Sequence, residues 1–294
     1  MQKTERSLEE ALRNHVAVLA GDIGPRTPFQ GDSLQRAQRY IREVLEDAGL
    51  EVTEQPYQYF DWRVANLIAK PPGAPASSNY YVVGGHYDTV TSTPGADDNA
   101  SAVAVMLELA RRHSENRSPA PIRFVAFTLE ELPAYQTGHQ GSRHFVEETA
   151  RRGETIAGAV VLEMVGYTCP RQHYPFALRW AGYPATGDYI GVISNWRSRQ
   201  LSRAVLKGFR RNAKLPTESL IVPFNGYILP DTRRSDHASF WNAGLPALMV
   251  TDTANFRNPN YHLPSDTPDT LDYGFMAQLV VGLEHAIEEL PPLG

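Results

Sequence analysis

The segment "YYVVGGHYDTV", residues 80–90, passes within a few positions from a buried-strand pattern to polar residues. Its first six residues are apolar or small, and the paired valines favour a β-strand. His86 and Asp88 follow at once. A strand that ends in an imidazole and a carboxylate is typical of an open sheet in which functional groups gather where the strands end.

Three further apolar, β-branched runs follow along the chain, at residues 122–128, 158–165 and 246–252. Strands that alternate with helices form a largely parallel sheet covered on both faces. The sequence therefore predicts an α/β fold, a three-layer sandwich with a mixed, mainly parallel central sheet. The remaining predicted elements are two early strands over 51–60 and 63–70 and helices over 32–49, 99–113, 141–152 and 198–211.

The composition is that of a globular protein with one large core. Of the 294 residues, 42% are hydrophobic and 21% are charged, and a chain of this length can form one large α/β domain. We expect a single domain over residues 1–294 that begins with a helical segment. The irregular, aromatic-rich stretch 166–196 is expected either to form part of a pocket wall or to be an ordinary packed excursion.

Charge and hydropathy exclude several classes of partner. The net charge is −5 and the basic residues are scattered, so we expect no nucleic-acid partner. No apolar run reaches the length that a membrane span needs, so we expect no membrane partner. The single cysteine, Cys169, allows no intrachain disulfide, and the first residues lack a signal-peptide pattern. These features favour the cytoplasm and leave the oligomeric state open.

Acidic residues stand at the ends of the other predicted strands. Glu130 and Glu131 follow the run at 122–128, and Glu163 lies near the end of the run at 158–165. Each alone is more often a cap, a turn residue or a solvated acid. Together they converge on the edge that holds His86, where several carboxylates would repel one another unless a cation neutralised them. Imidazole and carboxylate ligands suit zinc.

Several motifs together resemble the co-catalytic di-zinc aminopeptidase family. The motifs are "GGHYDTV", "GADDNAS", "TLEELP", "SDHASF" and the late loop "NPNYHLPSDTPDTLDYG" with His262. This family includes secreted bacterial aminopeptidases, glutamate carboxypeptidase II and the glutaminyl cyclases. The resemblance runs in order from about His86 onward and implies a zinc-peptidase catalytic domain.

The resemblance implies the ligands of two Zn²⁺ ions, with Mn²⁺ or Co²⁺ as possible substitutes. His86 and Glu163 match ligands of the first ion, Glu131 and His262 match ligands of the second, and Asp98 matches the bridging carboxylate. Asp97, beside the bridge, takes the position of a family asparagine and is not expected to bind metal. The peptide bond between Asp98 and Asn99 is expected to be cis.

The resemblance also implies three catalytic residues. Asp88 matches the acid that orients the imidazole of His86. Glu130 matches a general base that takes a proton from a metal-bridging water and passes it to the leaving amine. Tyr261 matches a tyrosine that polarises the scissile carbonyl. The implied activity is hydrolysis of N-terminal residues from peptide or aminoacyl substrates.

Glu163 departs from the family pattern, in which Asp is common at this position. The longer side chain leaves open the identity and occupancy of the first metal. It also favours a rival enzyme class, the aminoacylase and carboxypeptidase G-like amidohydrolases, although these usually carry an inserted domain for which this chain has little room. A one-zinc glutaminyl cyclase and a non-catalytic scaffold on the same fold are further alternatives.

Overall fold

A computed structural model of the chain describes residues 2–74, 79–118, 120–174 and 182–293. Within them, eight strands form one sheet in the order β1-β2-β4-β3-β5-β8-β6-β7. The strands are β1 Glu51–Tyr59, β2 Trp62–Lys70, β3 Tyr80–His86, β4 Ile122–Phe127, β5 Ile156–Glu163, β6 Ile190–Asn195, β7 Thr217–Val222 and β8 Ala247–Thr251.

The centre of the sheet is parallel and its flanks are mixed. Strands β4, β3, β5 and β8 run parallel to one another. The hairpin β1–β2 joins β4 in antiparallel register, and the parallel pair β6–β7 joins β8 in antiparallel register. The predicted mixed, largely parallel sheet is confirmed, and the four parallel strands bring their carboxyl ends to one edge.

Helices cover both faces of the sheet, which explains why every residue of β3 and β4 is buried. Buried residues of the helices Gly141–Arg151 and His237–Asn242 form a core on one face, and those of the other helices form a larger core on the opposite face. The three-layer prediction is thereby confirmed. The helices are α1 Gln2–Val16, α2 Ser33–Asp47, α3 Ala102–Glu115, α4 Gly141–Arg151, α5 Arg199–Phe209, α6 His237–Asn242 and α7 Tyr273–Glu288.

Two strands were absent from the sequence prediction. Residues 190–195, expected to be irregular, form β6 inside the sheet, and residues 217–222 form β7 at its edge. Both strands are only six residues long, and the polar residues "TES" at the start of β7 weaken its strand signal. Residues 175–181 of the predicted pocket wall and residues 75–78 of the Pro/Ser-rich connection lie outside the described residues.

Candidate metal centre

The polar residues predicted at the strand ends meet at one edge of the sheet. His86 is the last residue of β3, Glu163 is the last residue of β5, and Glu130 and Glu131 follow β4. Asp98 lies in the π-helical turn Ala96–Ser101 that leads into α3. The fold thus brings together side chains that are distant in the sequence, since His86 and Glu163 lie 77 positions apart.

Three buried side chains form a first group, called here the enclosed triad: His86, Asp98 and Glu163. One potential ligand atom from each lies within 4.8 Å of the others. His86 Nε2 is 3.4 Å from Asp98 Oδ1 and 3.5 Å from Glu163 Oε2. One imidazole and two carboxylates therefore face a common point.

A second group, called here the outer triad, contains Asp98, Glu131 and His262. His262 Nε2 is 3.1 Å from Asp98 Oδ2 and 3.2 Å from Glu131 Oε1. Asp98 therefore presents one carboxylate oxygen to each triad. This is the arrangement that a bridging ligand between two ions requires.

The donor atoms fit a metal better than they fit one another. Four of them, His86 Nε2, Asp98 Oδ1, Glu131 Oε1 and His262 Nε2, are buried and have no hydrogen-bond partner among the described residues. Buried polar atoms are normally satisfied, so four unpaired atoms facing two common points indicate cations as their partners. Imidazole and carboxylate donors in groups of three match open zinc sites, which leave a position for water or substrate.

The charges of the two triads shift the pKa values of their members. Burial opposes ionisation of Asp98, but its contacts with His262 and His86 lower the pKa of the carboxyl. Burial and the neighbouring Asp98 raise the pKa of Glu131 to about 7. Burial disfavours the charged imidazole of His262, yet Asp98 and Glu131 raise its pKa to about 10. Each triad is thus a site of concentrated negative charge.

Glu130 lies beside both triads and belongs to neither. It lines a cleft of about 100 Å³, called here the metal cleft, together with members of the triads and with Tyr135, Arg234 and Tyr261. Burial raises the pKa of the Glu130 carboxyl well above its usual range, and the nearby Glu163 and Glu131 raise it further. A carboxyl with a raised pKa beside a metal site is suited to accept and return a proton.

Asp88 connects two strand ends. Its carboxylate accepts the backbone N–H of Glu130 at 3.1 Å and that of Glu131 at 3.0 Å. His86 Nδ1 lies 3.2 Å from the main-chain oxygen of Asp88 and 3.5 Å from its Oδ1. Asp88 therefore faces the imidazole of His86 and also fixes the backbone of the two glutamates. The second contact was not predicted from the sequence.

The bridging residue is held by a carboxylate that sequence reasoning did not single out. Asp266 accepts the backbone N–H of Asp97 at 2.9 Å and that of Asp98 at 3.1 Å. Asp97 belongs to neither triad, and its carboxylate accepts the Nδ2–H of Asn258 at 2.7 Å. The Asp98–Asn99 peptide bond is cis, as the resemblance implies. The only sequence signal for Asp266 is its place in the acid-rich loop after His262.

Glu163 also has a partner that the sequence did not reveal. Ser235 Oγ donates a hydrogen bond of 2.7 Å to Glu163 Oε2. This serine belongs to the "SDHASF" motif and is buried. The hydrogen bond fixes one oxygen of the longer side chain, which is the oxygen that faces His86.

The backbone is turned sharply beside three site residues. Leu129, which precedes Glu130, has φ 55°, and Met164, which follows Glu163, has φ 45°. His262 itself has φ 59°. Non-glycine residues rarely adopt these values, and such conformations concentrate where the surrounding structure holds functional groups in place.

An apolar pocket of about 110 Å³ adjoins the metal cleft. The two share the residues Glu163, Arg234 and Tyr261. Tyr261 stacks on His262, with ring centroids 3.8 Å apart. The apolar part of the pocket is lined by Ile193, Leu220, Met249 and Phe256.

With this geometry established, comparison with known proteins identifies the family. Residues 66–282 match peptidase family M28. The chain belongs to this family. Membership supports the prediction of a hydrolase that acts on peptides, and the residues of both triads lie within the matched range.

Related sequences and a solved structure agree with this family assignment. The uncharacterized protein YfbL of Escherichia coli (strain K12) is 36% identical over 286 residues, which cover 93% of this chain and 86% of YfbL. Aminopeptidase YwaD of Bacillus subtilis (strain 168) is 30% identical over 213 residues, which cover 68% of this chain but 38% of YwaD. The structure of BSAP, a zinc aminopeptidase from Bacillus subtilis, has the same fold, with a TM-score of 0.75 at 16% identity over 96% of this chain and 94% of BSAP.

No helix in the described parts of the chain is both long enough and apolar enough to span a membrane.

Proposed function

We propose that this chain is a zinc-dependent aminopeptidase whose single catalytic domain, residues 1–294, removes N-terminal residues from peptides. The observation that carries the proposal is the pair of triads that share Asp98, with unpaired donor atoms facing inward. Its membership of a peptidase family and its similarity to an aminopeptidase support the same activity. Peptide or aminoacyl compounds are the proposed substrates.

The enclosed triad would hold one zinc ion and the outer triad a second. Two bound zinc ions would lower the pKa of a water molecule and stabilise the negative charge that develops on an attacked carbonyl. His86 and His262 would each release a proton and bind as neutral imidazoles, while the carboxylates would balance the cationic charge. Asp88 keeps His86 in place through its contacts with Nδ1.

Glu130 would act as the general base. It belongs to neither triad, yet it lines the same cleft, and its raised pKa favours proton uptake. After the attack it would pass the proton to the leaving amine, which departs as a neutral group. Tyr261 would donate a hydrogen bond to the oxygen of the scissile carbonyl. Asp88 fixes the backbone of residues 130 and 131, which supports different roles for the two adjacent glutamates, Glu130 as the base and Glu131 as a metal ligand.

The surroundings of the cleft favour a substrate with a free amino terminus and an apolar first residue. The carboxylates Glu130 and Glu163 line the cleft and attract an α-ammonium group. The adjoining apolar pocket of about 110 Å³ is smaller than the roughly 150 Å³ cavity that accommodates benzene. It therefore suits one aliphatic side chain of medium size.

A panel of aminoacyl p-nitroanilides would test the proposal, using protein stripped by a chelator and then supplied with Zn²⁺, Mn²⁺ or Co²⁺. We expect metal-dependent hydrolysis that is fastest for leucine-like residues and absent for N-acetylated substrates. Activity confined to blocked substrates would instead identify an aminoacylase-like amidohydrolase. Cyclisation of an N-terminal glutamine without hydrolysis would identify a glutaminyl cyclase.

A further inference from the structure

Arg234 occupies a distinctive position at the junction of the metal cleft and the apolar pocket. Among the described residues that line these two spaces, it is the only lysine or arginine. Its side chain is 39% exposed, so the residue is accessible to substitution without disturbing the core. Any substrate that reaches from the cleft into the pocket passes beside its guanidinium.

The guanidinium is fixed by three neighbours. Arg234 Nη2 donates a hydrogen bond of 2.8 Å to Tyr261 Oη, and Nη1 donates one of 3.3 Å to Asn255 Oδ1. Asp231 Oδ1 lies 3.6 Å from Nη1. The ring of Tyr261 is meanwhile stacked on His262. The imidazole of His262 therefore holds the ring of Tyr261, and the guanidinium of Arg234 holds its hydroxyl.

We propose that Arg234 is a positioning residue that directs the hydroxyl proton of Tyr261 into the metal cleft. A guanidinium has donors only, so Tyr261 Oη must be the acceptor in this pair. The hydroxyl proton is then left for a different acceptor. Among the described residues, Tyr261 Oη makes no other hydrogen bond, so that acceptor is supplied by the substrate. This inference rests on the proposed function, in which the acceptor is the scissile carbonyl.

The charge of Arg234 strengthens the same hydrogen bond. A cation on one side of a hydroxyl oxygen stabilises the negative charge that develops as its proton is shared on the other side. Without the cation, the hydroxyl is free to turn towards the carboxylates Asp98, Glu131 and Glu163, which line the metal cleft together with Tyr261. Arg234 thus favours the orientation in which the Tyr261 hydroxyl donates to the substrate over one in which it donates to a metal-binding carboxylate.

A double-mutant cycle with Arg234→Met and Tyr261→Phe tests the proposal, with leucine p-nitroanilide as substrate. Loss of the Tyr261 donor should lower kcat on the order of 10²-fold. Arg234→Met should lower kcat on the order of tenfold, with KM and zinc content near those of the wild type. The double variant should be no slower than Tyr261→Phe alone, because Arg234 acts through the hydroxyl. Asn255→Ala, which removes a second anchor of the guanidinium, should give a smaller loss.

Fully additive losses in the cycle would overturn the proposal while leaving the aminopeptidase function intact. An increase in KM confined to substrates with a free carboxylate would likewise overturn it, since Arg234 would then bind substrate directly. Inactivity of the wild type would instead refute the proposed function. NMR of the protein labelled with [4-¹³C]tyrosine is independent of turnover: Arg234→Met should shift the Tyr261 signal, identified by its absence in Tyr261→Phe, and an unchanged signal would refute the contact.

Discussion

The two triads share one carboxylate but differ in their surroundings. In the enclosed triad the side chains of His86 and Glu163 are 1% and 8% exposed, and Ser235 holds Glu163. In the outer triad the side chain of His262 is 29% exposed and comes from a loop rather than a strand end. The comparison indicates that the fold builds one site rigidly and leaves the other accessible from solvent.

This difference has a chemical use. A site formed by strand ends keeps its ligands in place when no ion is bound, because the sheet fixes their backbones. A site completed by a loop residue exchanges its ion and its other ligands more readily. We therefore expect the outer triad to lose zinc first during chelation.

The largest effect should follow the loss of the shared ligand. Asp98→Ala removes one donor from each triad, so neither site retains enough ligands for tight binding. We expect zinc content close to zero and a fall in activity of at least about 10⁴-fold, out of the roughly 10⁶-fold or more by which enzymes accelerate reactions. Elemental analysis of the purified variant and an aminopeptidase assay check this. Retention of a full zinc complement would show that Asp98 bridges nothing.

Substitutions of the adjacent residues Glu130 and Glu131 should distinguish the general base from the metal ligand. Glu130→Gln removes the proton acceptor and should lower kcat by about 10²- to 10⁴-fold with zinc content unchanged. Glu131→Gln should instead release the outer zinc and lose activity that excess zinc partly restores. Equal zinc loss in both variants would mean that the two roles are exchanged or shared.

Much of this arrangement was predictable from sequence because strand patterns place residues at a common edge. His86, Glu130, Glu131 and Glu163 follow apolar runs, and the parallel topology makes their meeting necessary. Their partners follow no such rule. Asp266 and Ser235 lie in loops far along the chain, and Arg234 adjoins a motif without belonging to a strand, so only tertiary contacts reveal what they hold. Strand β7 was missed because polar residues interrupt its pattern.

Changes at Glu163 test the enclosed triad alone. Glu163→Ala should release the enclosed zinc and lower activity, while the outer site still binds metal. Glu163→Asp restores the residue common in the family on a backbone arranged for a longer side chain, so we expect altered metal preference with the fold retained. Activity measured with Zn²⁺, Mn²⁺ and Co²⁺ would show the change. Indifference of metal content to both substitutions would exclude Glu163 as a ligand.

Removing the support of Glu163 should have a smaller effect. Ser235→Ala abolishes the hydrogen bond to Glu163 Oε2, and loss of such a partner typically weakens metal binding by about 10- to 100-fold. Ser239→Ala is a matched control, since Ser239 contacts Ser142 and belongs to neither triad. Competition with a chelating dye measures both variants. If the two variants bound zinc with similar affinity, the hydrogen bond from Ser235 would not contribute to metal binding by the enclosed triad.

The smallest effect concerns the pH dependence of the zinc-free protein. Burial raises the pKa of Glu131 to about 7, and it does the same for Asp236, the buried acid of the "SDHASF" motif, whereas unfolded carboxyls titrate at about 4. Between these values the native state binds more protons than the unfolded state, so the free energy of unfolding falls as pH rises from about 4 to 7. His262 acts in the same direction, since its raised pKa gives stability below about 6.5 that is lost towards pH 10.

Thermal unfolding of the zinc-free protein at pH 5 and pH 7 measures this trend. We expect a lower midpoint at pH 7, and recovery on addition of zinc, which replaces the protons as the neutralising charge. A midpoint that is equal or higher at pH 7 would show that burial does not raise the pKa values of these carboxyls in the native state.

The central claim, two ions bridged by Asp98 with Glu130 as a free base, is tested most directly by diffraction from zinc-loaded crystals at the zinc absorption edge. The account predicts two anomalous peaks per chain, one contacted by His86 and Glu163, the other by Glu131 and His262, with one Asp98 oxygen on each. Glu130 should contact neither. A single peak, or a peak coordinated by Glu130 in place of Glu131, would contradict it.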